Sequence, residues 1–338
     1  MSSDTSIKIF TTCPVSAAEE PKAAKRRLEE VAMWSEQAGC EGVLVFSDNR
    51  QLDAWLVSQL IFSVTRRLSP LVAIQPAYMH PYTAAKMIST LAFLHGRRVH
   101  LNMVAGGFTN DLAALNDATP HDERYARLVE YTSIVQRLLR SADPLTFDGR
   151  YYRVTNLKLT PALPTELMPD ILVSGSSEAG RAAASALDAT AVEYPTPEAL
   201  AAPAPSALGG RGIRIGIVAR GDGAEAWTVA RQRYPEDRKG QITRKLATKV
   251  SDSSWHHQLA AHENTGADER NPYWLVPFQN YKAMCPYLVG DYERIAGEIT
   301  RYIDSGFTTF ILDEPSDEDE MRHIATTFEL VTQRRAAA

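Results

Sequence analysis

Two short segments of this chain combine residue types that could hold a phosphate-bearing cofactor. Residues 99–107 (VHLNMVAGG) read as an apolar strand that ends in a Gly-rich turn, and residues 121–125 (HDERY) open a predicted helix. Residues 170–177 (DILVSGSS) read as a second strand that ends in small hydroxyl side chains, again with a helix behind it. Backbone N–H groups at helix starts, with hydroxyls, a Tyr and an Arg nearby, favour binding of a phosphate group.

A charged residue inside an apolar strand points to the same chemistry. Arg214 interrupts a run of isoleucines, at positions 213, 215 and 217. Such a residue either contacts a ligand or lies at a strand end that faces water, and we favour the ligand. A phosphate dianion prefers a planar guanidinium together with the N–H groups of a helix start, which Ser176 and Ser177 would offer.

Motifs for other chemistries are nearly absent. Gly210, Gly212 and Gly216 only approximate the dinucleotide fingerprint, and they precede a strand instead of following one. The turn at 175–177 lacks the second glycine of a nucleophile elbow. The eight histidines show no metal-ligand spacing apart from the adjacent pair 256–257, whose side chains would point apart in a helix. We therefore expect no metal site.

Composition is that of an ordinary globular protein. The 338 residues are 44% hydrophobic and 23% charged, with a net charge of -5 that gives no reason to expect nucleic-acid or membrane binding. Residues 1–6 (MSSDTS) lack the features of a signal peptide, and no apolar run is long enough to span a membrane. Three scattered cysteines without C-x-x-C spacing indicate a reducing environment, so we expect a cytoplasmic location.

The elements that position these residues alternate between strand and helix. We predict eight strands, over residues 7–12, 42–46, 68–74, 99–104, 171–173, 191–194, 213–219 and 308–312. Predicted helices follow most of them, the first over residues 21–37 with a proline at its start, and residues 145–157 read as a hairpin. This α/β pattern favours a (β/α)8 TIM barrel in a single domain, 1–338, with its site at the carboxyl ends of the strands. A doubly wound open sheet is the alternative.

The low-complexity stretch 201–210 falls where the sixth helix of the barrel belongs, so that helix should be short or broken.

Residues 233–287, between predicted strands 7 and 8, are longer than a crossover helix requires. We interpret this segment as an inserted lid or substrate wall. It is rich in aromatic residues, which could keep water from a reactive intermediate, and His256 or His257 could exchange protons near neutral pH. The alternative is that the tryptophans only pack helices together and that the histidine pair lies at the surface. The aromatic and basic candidates in the segment are Trp255, His256, His257, Tyr273, Trp274, Phe278, Tyr281 and Lys282.

Taken together, motifs from about residue 7 to residue 328 resemble the bacterial luciferase-like flavin-dependent monooxygenases, most closely the alkanesulfonate monooxygenase branch. The resemblance is carried by residues 53–55, 81–97, 102–106, 121–125, 147–152, 174–177, 212–214, 225–227 and 288–291. It implies that a reduced flavin lies across the mouth of a barrel. The flavin phosphate would be held by Tyr125, Ser176, Ser177 and Arg214, and the isoalloxazine edge would be lined by Asn102 and Ala105.

The same resemblance implies an activity and two protein partners. The enzyme would bind reduced FMN, react it with O2 through a flavin C4a-peroxide and insert one oxygen atom into a small organic or natural-product intermediate. No nicotinamide site is visible, so a separate NAD(P)H:flavin reductase would supply the reduced FMN. A homodimer would form through helices near strands two to four.

Departures from the alkanesulfonate pattern indicate an altered substrate site. A Cys of that branch corresponds here to about Gln51, a His to Gly216, another His to about Cys13, and a Tyr-Pro-His run to residues 314–316. We therefore take Gln51, Glu314 and His256 as candidate catalytic residues. Parts of the segment 251–290 are similar to luciferase-like oxygenases of natural-product assembly lines, which implies a substrate that is a small molecule or is bound to a carrier protein.

Two other functions are compatible with this fold. A deazaflavin (F420)-dependent dehydrogenase would transfer hydride and would not need oxygen. A non-catalytic flavin-binding protein would bind oxidised FMN and form no oxygen-dependent product. Turnover without oxygen would identify the first, and the lack of any product would identify the second.

Overall fold

Eight parallel strands close into a barrel in the computed structural model, which describes residues 7–14, 19–196, 210–262 and 271–337. The twelve strands of this part of the chain are β1 (Lys8–Thr12), β2 (Gly42–Val45), β3 (Ser69–Ile74), β4 (His100–Val104), β5 (Leu145–Asp148), β6 (Arg153–Leu157), β7 (Ile171–Ser174), β8 (Thr190–Glu193), β9 (Arg211–Arg220), β10 (Tyr273–Trp274), β11 (Tyr287–Asp291) and β12 (Phe307–Leu312). The ring runs β1-β2-β3-β4-β7-β8-β9-β12 and closes where β12 pairs with β1. The predicted TIM barrel is thus confirmed, and the open sheet is excluded.

Helices surround this ring or belong to the connections at its ends. They are α1 (Pro21–Gln37), α2 (Ala54–Val64), α3 (Pro81–His95), α4 (Thr109–Ala114), α5 (His121–Arg140), α6 (Glu178–Ala186), α7 (Gly223–Arg233), α8 (Arg238–Val250), α9 (Ser254–Ala261), α10 (Val276–Gln279), α11 (Tyr292–Asp304) and α12 (Glu318–Ala337). Local sequence explains several of the ends: the Asp53 carboxylate caps α2, Ser177 caps α6, and Gly96 ends α3 in the left-handed conformation. The predicted broken sixth helix lies outside the described residues.

The barrel interior is filled by apolar side chains from six of its strands. The cluster consists of Phe10, Leu44, Leu71, Ala73, Leu172, Val192 and Ile311, each almost fully buried. Larger clusters lie between the strands and the surrounding helices. Because side chains fill the barrel, a ligand has room only beyond the strand ends.

A group of charged residues joins four strands at the amino end of the barrel. His100, fully buried at the start of β4, has Nε2 3.2 Å from Glu41 Oε1 and Nδ1 3.2 Å from Asp170 Oδ2. Lys8, the first residue of β1, forms an ion pair with the same aspartate. Since Glu41 precedes β2 and Asp170 precedes β7, this polar cluster connects β1, β2, β4 and β7.

The insertion between β9 and β12 extends the barrel wall. Strand β9 is ten residues long. Its residues 211–213 pair with β8, whereas its residues 216–220 pair with β11, to which β10 is added in antiparallel orientation. The insertion has its own apolar cluster, built around Trp227, Trp274 and Phe278. The sequence interpretation treated residues 233–287 as one segment and did not predict α8, α9, β11 or α11.

No helix among the described residues is long and apolar enough to cross a membrane.

Candidate active site

A cavity of about 540 Å³ opens at the carboxyl ends of the barrel strands. This volume lies in the range that small-molecule sites usually occupy. Seven of the nine residues singled out from the sequence line the cavity: Gln51, Asn102, Ala105, Tyr125, Ser176, Ser177 and Arg214. The other two, His256 and Glu314, are not part of its lining.

One corner of the cavity is built from small residues around the Tyr125 hydroxyl. Gly175 has φ +154°, and a Cβ at this position would lie 2.1 Å from Tyr125 Oη, so only glycine fits. The hydroxyl donates to the Ser174 carbonyl oxygen at 3.5 Å, and the nearby Ser177 Oγ accepts the Gly180 N–H at 3.1 Å. This corner therefore combines two hydroxyls with the N-terminus of α6, a combination that suits an anion.

Arg214 supplies the positive charge at this end of the cavity. The Tyr194 hydroxyl is the group that acts most strongly on its charge, while its Nε is buried and has no hydrogen-bond partner among the described residues. No carboxylate in the described part of the chain lies within ion-pair distance of it. The side chain is partly buried, and although the Asp313 carboxylate acts on its charge from beyond that distance, the guanidinium faces the cavity and can pair with a bound anion.

The wall along β4 is compact and oriented. Ser174 Oγ lies 2.8 Å from Asn102 Oδ1, an arrangement that holds the Asn102 amide in place. Ala105 is almost fully buried and follows the strand directly, so the backbone can approach a flat ring closely there. The neighbouring Gly106 has φ +99°, a conformation that favours glycine, and it lines the cavity together with Gly107.

Residues 251–258 form the facing wall, and several contacts fasten them to the barrel. The buried Arg124 holds the Asp252 carboxylate at 2.5 Å, and Ser251 forms a β-bridge with Phe108. The Trp255 ring stacks on the Tyr194 ring, with 3.9 Å between their centroids and 10° between their planes. Asp252, Trp255 and Tyr194 all line the cavity.

Sequence reasoning identified only part of this wall. It singled out Trp255 as an aromatic candidate but missed Tyr194, Asp252 and the structural role of Arg124. Tyr194 was assigned only to a strand, and Arg124 resembled a solvated helix start. No local sequence pattern indicates these roles, because each role depends on contact with a residue that is distant in the chain.

His256 lies behind the cavity wall. The side chain is 1% exposed, its ring packs edge-on against Phe278 at 5.5 Å, and neither ring nitrogen has a partner among the described residues. Burial lowers the pKa of His256 to about 4, with smaller effects from His257 and Arg244. The imidazole is therefore neutral at pH 7 and does not reach the cavity.

Glu314 and Gln51 have different surroundings. Glu314 pairs with Arg27 at 3.3 Å, away from the cavity lining, and burial raises the pKa of its carboxyl group. Gln51 lines the cavity, and its buried Oε1 has no hydrogen-bond partner among the described residues. An unsatisfied amide oxygen next to a cavity is available to a bound molecule.

The substitution at Gly216 has a packing explanation. A Cβ there would lie 2.3 Å from the Tyr287 ring, so the tyrosine occupies the space that a larger residue would need. The Tyr287 hydroxyl donates to Asp313 Oδ2 at 2.7 Å. The described residues contain no group of His, Cys, Asp and Glu side chains that could hold a metal ion.

A protein-family model and a characterised relative both match most of this chain. The family model of luciferase-like monooxygenases matches residues 5–309. The chain is 34% identical over 302 residues to the 4-(γ-L-glutamylamino)butanoyl-[BtrI acyl-carrier protein] monooxygenase BtrO of Niallia circulans, a match that covers 88% of each protein.

Two solved structures share the fold at low sequence identity. EDTA monooxygenase EmoA from Chelativorans sp. BNC1 is 14% identical with a TM-score of 0.72, and the match covers 97% of this chain and 94% of that one. An F420-dependent secondary alcohol dehydrogenase is 16% identical with a TM-score of 0.67, and the match covers 96% of this chain and 99% of that one.

Proposed function

The chain belongs to the luciferase-like monooxygenase family, and from this premise we propose that it is a two-component monooxygenase that uses reduced FMN. A separate NAD(P)H:flavin reductase supplies the cofactor. The observation that carries the proposal is the partly buried Arg214, which lines the same cavity as Ser176 and Ser177 and forms no ion pair with a carboxylate in the described part of the chain. The phosphate of FMN would provide the missing negative charge.

The remaining cavity residues fit a flavin ring and a substrate above it. Asn102 and Ala105 offer a compact wall for the isoalloxazine edge, and Trp255 with Tyr194 shields the opposite side from water. When bound, the reduced flavin supplies the two electrons with which one oxygen atom of O2 enters the substrate and the other leaves as water.

The three candidate catalytic residues take different parts in this proposal. Gln51 lines the cavity with an unsatisfied oxygen, so it is the one that touches the substrate. His256 acts as a positioning residue, because it supports Trp255 from behind, whereas Glu314 pairs with Arg27 outside the cavity lining and is not proposed to act in the reaction. Segment 233–287 contributes the substrate wall through residues 252–255, 281 and 284.

The substrate we propose is an acyl group bound to a carrier protein. The support is the BtrO relative, whose name specifies such a substrate and which matches 88% of this chain. The same relative argues against the deazaflavin alternative. Its 34% sequence identity to this chain makes a shared type of reaction more plausible than does the 16% identity of the F420-dependent dehydrogenase, which shares the fold.

An oxygen-labelling experiment tests this function. The enzyme, FMN, NADH and a flavin reductase are mixed under 18O2 with the 4-(γ-L-glutamylamino)butanoyl thioester on the BtrI carrier or on pantetheine. We expect one 18O atom per product molecule and no product when FMN, reductase or oxygen is left out. Product formed without oxygen, or with F420 in place of FMN, would contradict the proposal.

A further inference from the structure

Helix α8 differs in charge from the rest of the molecule. Its 13 residues, RKGQITRKLATKV, include five basic side chains and no acidic one, whereas the whole chain has a net charge of -5. Asp237, which precedes the helix, is already engaged, because it caps the Gly240 N–H and pairs with Lys282 at 2.9 Å. The helix thus presents an isolated positive surface.

The outward side of α8 combines this charge with apolar groups. At 100° per residue, six exposed side chains fall within an arc of about 120°. Two of them are large and apolar, Ile242 at 56% and Leu246 at 59% exposure. Four basic residues surround this pair: Arg238, Lys239, Lys245 and Lys249. We call these six residues the α8 face.

The α8 face has no partner in the described structure, although the helix itself is firmly held. None of its four cations has a carboxylate within ion-pair distance among the described residues. On the inner side, Gly240 packs against the Asn280 backbone, Gln241 hydrogen-bonds with the Asn280 side chain at 3.2 Å, and Arg244 lies over the Phe278 ring. The outer surface is therefore preformed, and binding would not require the helix to be ordered first.

The position of α8 connects this surface to the cavity. The helix ends at Val250, and the following Ser251 is bridged to Phe108 at the barrel end. Asp252 and Trp255 then line the cavity. The C-terminal end of α8 is thus separated by a single residue, Ser251, from the part of the chain that lines the cavity.

We propose that the α8 face is the docking site for the acidic helix of an acyl carrier protein, whose prosthetic arm delivers the substrate to the cavity. This inference rests on the carrier-bound substrate of the proposed function. A cavity of about 540 Å³ admits an acyl thioester but not a protein, so the carrier must bind outside it. Four cations around an apolar pair complement a negatively charged helix with an apolar ridge.

Charge reversal on the α8 face is the test. The double variant Lys239→Glu/Lys245→Glu is compared with Arg137→Glu/Arg140→Glu, which makes the same change of charge on the last turn of α5 at the amino end of the barrel. Leu246→Gln removes apolar contact without changing charge. Binding of holo-BtrI is measured by fluorescence anisotropy at about 0.05 and 0.3 M salt. Turnover is measured with the same acyl group on BtrI and on pantetheine.

We expect the α8 variants to lose carrier binding and activity on the carrier-bound thioester only. Lys239→Glu/Lys245→Glu should weaken holo-BtrI binding at least tenfold at low salt and lower kcat/KM for the carrier-bound thioester to a similar extent, with kcat/KM for the pantetheine thioester unchanged. Leu246→Gln should act in the same direction, and the α5 variant should match the wild type.

Three results would overturn the docking proposal. The first is a wild type that does not bind holo-BtrI, and the second is a decrease in kcat/KM that is equal for both thioesters. The third is that the α8 variants lose binding to phosphatidylserine vesicles but keep their affinity for the carrier. A wild type that oxygenates neither thioester would instead refute the proposed substrate, and these outcomes are distinguishable from one another.

Discussion

At the scale of single residues, Arg214 and Tyr194 are tied together. The guanidinium interacts electrostatically with the tyrosine hydroxyl, and the tyrosine ring is covered by Trp255. Burial raises the pKa of the Tyr194 hydroxyl, which therefore stays protonated at neutral pH. A change at Arg214 is thus expected to alter the charge of the cavity without removing the stacked aromatic wall.

Replacing Arg214 should abolish the preference for a phosphorylated flavin. We expect Arg214→Ala to weaken reduced-FMN binding at least tenfold, about 1.4 kcal/mol, while the affinity for reduced riboflavin, which has no phosphate, changes little. Anaerobic fluorescence titration measures both affinities. Tyr194→Phe serves as the control, because it removes the hydroxyl but leaves the charge. Equal losses for FMN and riboflavin would show that Arg214 does not contact the phosphate.

At the scale of elements, the cluster around His100 links the amino ends of four strands. Hydrogen bonding to His100 lowers the pKa of Glu41, and hydrogen bonds and charges from His100 and Lys8 hold the pKa of Asp170 well below its ordinary value despite burial. A carboxyl group whose pKa is lower in the folded state stabilises the fold above its unfolded pKa. That contribution is lost as the pH falls through the folded pKa.

This cluster predicts a specific loss of stability in acid. Between pH 7 and 5 these carboxyl groups should leave the melting temperature of the wild type nearly unchanged. At pH values under about 4, the ordinary range of carboxyl groups, the melting temperature should decrease. Asp170→Asn should lower the free energy of unfolding at pH 7 by about 1–3 kcal/mol and make the acid decline shallower. Thermal melts from pH 7 to 3 measure both effects. An unchanged pH profile in the variant would show that Asp170 contributes nothing to acid sensitivity.

At the scale of the whole molecule, α2 and α3 expose apolar residues that a monomer would leave in water. Leu56 is 74%, Phe93 72% and Leu94 63% exposed. Helix α2 packs on β2 and β3, and α3 packs beside α2, in the region where the sequence analysis expected a homodimer interface. Burial of these side chains against a second copy would remove them from water.

The expected interface can be tested directly. Leu56→Glu combined with Phe93→Glu should convert a dimer to a monomer in sedimentation velocity experiments, because two carboxylates per subunit would be buried without partners. Ile242→Glu on α8, an exposed apolar residue outside this region, is the control and should not change the sedimentation coefficient. A monomeric wild type, or a dimeric double variant, would contradict the interface.

How far the sequence could predict this structure depends on the range of the interactions involved. The first helix was predicted with its observed bounds, Pro21–Gln37, because its apolar spacing and its proline are local signals. The cofactor candidates at 174–177 and 214 converge because a barrel brings successive strand ends together. His256 was taken for a catalytic residue, yet its orientation toward Phe278 depends on tertiary packing that periodicity does not describe. Tyr194 was missed for the same reason.

The length of β9 has a consequence for how such enzymes can diversify. Its first half bonds to barrel strands and carries Arg214, whereas its second half bonds to β11. Because backbone hydrogen bonds depend little on side-chain identity, residues 221–286 could be exchanged as a cassette while both halves of β9 and all of β11 stay in place. Recombination at these two splice points would graft a new substrate preference onto an inherited flavin pocket. A laboratory chimera made at the same points would begin from a barrel that already closes.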